Sequence, residues 1–302
     1  MRQTHLPITM DFKICKDIKE CERLWNSFSP NQRLFDIWDF RQCFFDKKSH
    51  EPHFIVGYEE NGAGGFLPLV LDINHNSYSY FGGWFTAERN KLYIKDKKNI
   101  CLFLEKCPLK TLIEGLDPAE KAFYDFEDDE FTHYLDLAQF NHDFDTYLSS
   151  LDKKRQKNLR HELKAIPKYE VYTNRIKDCK RLVDLNIKGF GEDSKFNDPS
   201  ITEGISRLAK LALKKGCLDM ISLEINGKVE AVDICVYLNG TYSSLIGSSN
   251  YQKIPNIGKL MTMLDIRHAM EKKAKIIEFG ATADHWKEMW RFKKDMLLKF
   301  SK

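Results

Sequence analysis

Two Asn-Gly pairs, Asn226-Gly227 and Asn239-Gly240, punctuate the stretch between Gly216 and Gly280. Each joins β-rich runs, at 217–225, 228–238 and 241–249. A type I′ turn needs φ > 0 at both central residues, and Asn followed by Gly accepts that conformation at low cost. Two such turns in succession predict a three-stranded antiparallel meander. The polar turn at 250–255 then delivers the chain to a helix. There Ile257, Leu260, Met261, Leu264 and His268 recur at helical spacing, with Asn256 as the expected N-cap and Gly258 in the first turn. Residues 275–279 read as a buried strand stopped by Gly280. The order is strand, strand, strand, helix, strand.

Upstream, a similar order of elements occurs once before. A strand is expected at 9–14, a helix at 16–28 with Ile18, Cys21, Leu24, Trp25 and Phe28 on one face, and an aromatic-rich helix at 35–45. Strands follow at 53–58, 65–71 and 78–81, the first two joined by Asn61-Gly62. A helix at 97–105 and a strand at 110–113 complete the set. No residue-level repeat accompanies the repeated pattern, so a duplicated fold is the economical reading. Residues 134–137 read as a strand closing the first half. One long helix or two short ones fill 144–166, ahead of Pro167. A strand at 169–172 and helices at 179–187 and 201–215 lead into the meander.

The 302 residues suit two domains, set at 1–143 and 144–302, and an apolar share of 42% supplies real cores. The expected fold class is mixed α+β, with two domains that each hold a twisted, mostly antiparallel sheet flanked by helices. The 47 basic and 44 acidic residues nearly balance, so any nucleic-acid contact must come from a local patch. The eight cysteines include no Cys-x-x-Cys pair, which favours reduced core thiols over zinc or disulfides. No apolar signal core opens the chain and no apolar run approaches the length of a membrane span. The expectation is a soluble, cytoplasmic protein without membrane insertion or a required metal.

Gly227-Lys-Val-Glu-Ala-Val232, the stretch 247–259, and Glu278-Phe-Gly280 with Lys287 seven residues beyond together resemble the GNAT acyltransferase superfamily. The details are most similar to its FemAB-like, tandem-domain branch. The resemblance implies transfer of an acyl or aminoacyl group, from acyl-CoA such as acetyl-CoA or from aminoacyl-tRNA, onto a small-molecule or peptide amine acceptor. It implies that the strand-to-helix turn holds the donor, through Ser248, Ser249, Gln252, Asn256, Ile257, Gly258 and Lys259. A helix N-terminus suits phosphate oxygens because its N–H groups are unpaired and its dipole end is positive. Here Gln252-Lys-Ile-Pro-Asn-Ile-Gly258 lacks the family's paired glycines, and an ordinary strand–helix turn is the equal alternative.

The resemblance also gives Lys287 an oxyanion-stabilising position, against a surface lysine on an amphipathic helix capped by Asp284. Asp233 and Glu278 are candidate bases, against hydrogen-bonded structural carboxylates. On a helix running through 153–164, Arg155 falls on the apolar stripe and needs an anionic partner, while the neighbouring lysines and Arg160 form a solvated flank. The resemblance gives Arg155 and Arg160 a role toward an anionic substrate or tRNA. Trp84, Arg89 and Tyr93 in the first half can floor an acceptor pocket or belong to the core. Two other functions stay open: an inactive tandem-domain binding module, and an RNA-binding protein using the 153–164 patch. No His-x-x-Glu-His motif or Gly-x-Ser-x-Gly elbow is present.

Overall fold

The computed structural model describes residues 10–281 and 285–302. The described residues divide into two compact units: one holds 10–31, 35–130 and 296–302, the other 32–34, 131–281 and 285–295.

In the first unit, β1 (Asp11–Cys15) leads to α1 (Ile18–Phe28), whose N-terminus is capped by Asp17 accepting from the N–H groups of Lys19 and Glu20. The anticipated helix over 35–45 is shorter: only α2 (Trp38–Gln42) is α-helical, and Ile37 before it offers no side-chain cap. Then come β2 (His50–Glu59), β3 (Gly62–Asp72), β4 (Ser77–Tyr80), β5 (Tyr93–Ile94), α3 (Ile100–Glu105) and β6 (Thr111–Leu116). The strand order is β1-β2-β3-β4-β6, antiparallel except for the β4–β6 pair, with β5 against β3. The core is aromatic. The Trp25 ring lies 4.9 Å from that of Tyr93, and the Phe54 and Phe66 rings stack at 5.3 Å. Arg41 is buried in it at 2% exposure, its guanidinium donating to Phe35 O, Phe81 O, Thr86 Oγ1 and Asn90 Oδ1.

β7 (Glu127–Asp136) carries the chain into the second unit. Its residues 132–136 pair antiparallel with a strand of that unit. Two helices fill the next stretch, α4 (Phe144–Ser150) and α5 (Lys153–Lys164), because Asp152 caps a fresh start by accepting from Arg155 N. β8 (Tyr169–Thr173), α6 (Cys179–Phe190) and α7 (Pro199–Lys214) precede the meander.

The meander is β9 (Leu218–Ile225), β10 (Lys228–Leu238) and β11 (Thr241–Ser249). Both turns have the required positive φ, 51° and 74° at Asn226-Gly227, 49° and 83° at Asn239-Gly240. α8 (Ile257–Glu271) and β12 (Ile276–Ala281) follow. The order in this unit is β7-β12-β11-β10-β9-β8. Lastly β13 (Lys293–Ser301) returns to the first unit, where it pairs antiparallel with β6 and buries Leu298.

Two irregularities make room for a site in the second unit. β10 and β11 slip register between Ile234 and Cys235, which face Ile246 and Ser244, so Leu245 is an unpaired bulge residue. The parallel pairing of β11 with β12 covers only Thr241–Ser243 against Ile276–Glu278. β11 runs on to Ser249 without β12, and the gap between the two strands is where the sheet opens.

Candidate active site

A cavity of about 700 Å³ occupies that gap. Its walls are Ser244 to Ser249 of β11, Asn256, Gly258 and Lys259 at the start of α8, Met261, Thr262 and Asp265 further along that helix, Asp233 of β10, Phe279 of β12, and Trp286, Lys287, Met289 and Trp290 beyond it; α6 closes another side through Phe190 and Asn186.

The turn into α8 differs from its expected form. Asn256 stands at the cap position but takes a left-handed conformation, φ 65°, and its side chain makes no capping hydrogen bond. The helix entrance is therefore left for another acceptor. Ser248 Oγ is buried beside it with no hydrogen-bond partner. Of the residues expected to hold a donor, Ser248, Ser249, Asn256, Gly258 and Lys259 line the cavity. Ile257 is fully buried in the core and Gln252 is exposed in a neighbouring small pocket. Lys259 Nζ is paired with Glu162 Oε2 of α5 at 2.7 Å.

Lys287 is buried at 1% exposure in a 3₁₀ turn, His285–Trp290, and donates to Phe279 O and Gly280 O at 3.0 Å each. The ammonium thus pins the end of β12 where it leaves β11. Asp284, the anticipated cap of this turn, lies outside the described residues. Asp233 lines the cavity and presses on the backbone of Gly247, where an added Cβ would meet Asp233 Oδ1 at 2.3 Å. Glu278 does not line it: its carboxylate is held by Arg33 at 2.7 Å.

Sequence reasoning missed Asp265, which approaches Asp233 from α8 and hydrogen-bonds with it. Asp265 Oδ2 also accepts from Ser244 Oγ at 2.8 Å, and Cys235 Sγ lies 3.4 Å from Oδ1. Burial pushes the Asp265 carboxyl up to about 7, with the Ser244 and Cys235 hydrogen bonds acting in the opposite sense. Burial, then the charge of Asp265, holds Asp233 well above the usual carboxylate range. A third buried carboxylate, Asp219, accepts from Tyr242 Oη at 3.0 Å and lies 3.3 Å from His268 Nδ1, a contact that raises the imidazole. The available signal was one acid among the apolar residues of α8, hidden because the apolar stripe set the helix face.

Arg155 is not inward. It is exposed, pairs with Asp152 at 3.0 Å, and donates to Glu288 O and Met289 O, so it braces the turn carrying Lys287. Arg155 sits in the first turn of α5, one turn before the buried Leu159, so it lies at the end of the apolar face, where its guanidinium reaches those two carbonyls. Arg160 and the neighbouring Lys153, Lys157 and Lys164 are exposed. In the first unit, Arg89 is buried and Tyr93 packs in the aromatic core, where burial raises its hydroxyl to about 12. The side chain of Trp84 lies outside those described. Among the described residues, no group of three His, Cys, Asp or Glu is placed to hold a metal ion, and no helix is long and apolar enough to cross a membrane.

Residues 153–288 match a family model described as an acetyltransferase (GNAT) domain. No curated protein sequence matches the chain. Among solved structures, FemX is similar with a TM-score of 0.57 at 11% identity, over 95% of this chain and 96% of FemX. A tandem GNAT protein from the clavulanic acid biosynthesis pathway gives 0.56 at 10% identity, over 97% and 98% of the two chains. L-PGS from Bacillus licheniformis gives 0.56 at 10% identity, over 94% and 91%. Residues 153–288, which span the splayed β11–β12 junction, carry the match to a GNAT acetyltransferase domain, and the chain shares the fold of FemX and of the tandem GNAT protein.

Proposed function

We propose that the protein is an N-acyltransferase that takes an acyl or aminoacyl group from a phosphate-bearing donor and forms an amide on an amine. The observation that carries this reading is the single cavity that brings together an uncapped helix entrance, a buried lysine and a buried acid. The α8 entrance, with Ser248 Oγ, Ser249, Asn256 and Gly258, would receive phosphate oxygens of the donor. Lys259 adds positive charge there, tempered by Glu162.

The acceptor nitrogen would attack the donor carbonyl. A C–N bond forms, charge gathers on the carbonyl oxygen, and the bond to the carrier sulfur or oxygen then breaks. Lys287 and the N–H of the bulge residue Leu245 are the groups at the cavity wall suited to that oxyanion, since preorganised donors cost no reorganisation at the moment of reaction. Asp233 would take the proton of the attacking ammonium, and the departing thiolate or alkoxide is protonated in turn. Glu278, occupied by Arg33, has no part in this scheme.

Acetyl-CoA, longer acyl-CoAs and aminoacyl-tRNA are the donors to titrate calorimetrically. A thioester donor should bind with modest salt dependence. A tRNA donor should show affinity falling steeply with salt, through the exposed Lys153, Lys157, Arg160 and Lys164. Absence of binding by all three overturns the reading and leaves an inactive binding module.

A further inference from the structure

The donor scheme leaves one feature unused: the second carboxyl, Asp265, 1% exposed and in contact with Asp233. Two acids in contact inside a protein cannot both ionise without a counter-charge, because their repulsion adds to the loss of hydration. Among the described residues, neither carboxyl has a lysine or arginine within ion-pair distance. The groups facing the pair are Cys235 from β10, Ser244 and Tyr242 from β11, Asp219 from β9 and His268 from α8, with Lys287 on the same cavity. Asp219, not this pair, takes up His268 and Tyr242.

The walls around the pair suit a hydrocarbon chain ending in a cation. Phe279, Trp286, Met289 and Trp290 line the same space, and aromatic faces attract cations. Trp290 Nε1 is buried without a hydrogen-bond partner. Asp265 lies seven residues along α8 from Gly258, about 10 Å at the helical rise. An acceptor at the acids and donor phosphates at the helix entrance would thus occupy different parts of one cavity.

We propose that Asp233 and Asp265 together seat the acceptor as a primary ammonium on an unbranched apolar chain, with no carboxylate beside the nitrogen. The inference rests on the acyl-transfer reading only for the word acceptor; the ammonium site stands or falls by itself. Asp265 is then the specificity-determining residue, and Asp233 the nearer base. A carboxylate next to the ammonium, as in an α-amino acid, would place a third negative charge against the pair and is excluded. Arrival of the cation drives off the proton that the two acids share, so binding and proton release are linked.

The test uses the full chain labelled with ¹⁵N at its tryptophan indoles, where Trp286 and Trp290 report on the cavity. The probes are n-hexylamine, n-hexanol and norleucine, which share a chain and differ in charge. Hexylammonium should shift the Trp290 indole resonance saturably, with affinity at least about tenfold above hexanol and norleucine, as expected for a charge that neutralises a buried acid. Its affinity should rise at least about fivefold between pH 6 and pH 8, with protons released to buffer. Asp265→Asn should abolish both the preference for the cation and the pH dependence. Equal binding of hexanol, equal binding of norleucine, or a pH-independent affinity in the unaltered protein each overturns the proposal, whether or not the variant folds. Acyl-CoA and aminoacyl-tRNA titrations of the same sample are scored separately: donor binding without ammonium binding sinks this inference alone, and the reverse sinks the transferase reading alone.

Discussion

At the scale of single residues, the acid pair has a consequence for stability that can be measured without any ligand. Asp265 ionises near 3.8 in an unfolded chain and is pushed up to about 7 by burial in the folded one. The folded state therefore holds a proton that the unfolded state has released, and the stability of the fold declines as pH climbs from about 4 through 7. Asp265→Asn, which retains an acceptor for Ser244 Oγ, should flatten that decline, gaining on the order of 2–4 kcal/mol relative to the unaltered protein at pH 8 and little at pH 4. Urea denaturation at the two pH values checks it; parallel losses in both proteins would show that the carboxyl is not strained. Gly247 is tied to the same place, since a Cβ there meets Asp233 Oδ1 at 2.3 Å. Gly247→Ala should displace Asp233 and lower turnover by about 10²-fold or more, the usual worth of a positioned base being about 10²–10⁴, while donor affinity is retained.

At the scale of elements, the entrance of α8 is governed by one backbone conformation. Asn256 has φ 65°, a region that Asn and Gly visit and β-branched residues resist. Asn256→Gly should leave donor affinity nearly unchanged, whereas Asn256→Val should cost about 1–2 kcal/mol of stability and weaken donor binding. Equal affinities for the two variants, read by calorimetry, would remove the helix entrance from the donor site. α5 offers a contrasting case. A helix running through 153–164 puts Arg155 on the leucine stripe, one turn before Leu159. Because α5 begins at Lys153, Arg155 falls in its first turn at the exposed end of that stripe, and its guanidinium meets the carbonyls of Glu288 and Met289.

At the scale of the whole molecule, chain order and spatial membership part company at the C-terminus. β13 comes last in sequence yet belongs to the first unit, where it pairs with β6 and supplies Leu298 and Phe300 to the aromatic core. Leu298→Ala should therefore destabilise the first unit by about 2–5 kcal/mol, the range for emptying a buried leucine site. Intrinsic fluorescence and amide exchange in β2 and β3 would report it. Protection lost only among residues 131–295 would contradict the assignment of β13.

The meander, both Asn-Gly turns, α1 and the apolar face of α8 were legible in the sequence, because each depends on neighbours within a few residues: turn φ values, a cap, a 3.6-residue period. Lys287 and Asp233 could be singled out by position along the chain. The pairing of Asp233 with Asp265, the capture of Glu278 by Arg33 and of Lys259 by Glu162, and the return of β13 to the first unit were decided by tertiary structure alone. Each joins residues far apart in sequence, and periodicity describes which face of an element is apolar but not which charged side chain arrives from another element to meet it. The gap between β11 and β12 has the same origin. Local propensity makes both strands, and only their packing determines that they part after Ser243 and leave a cavity there.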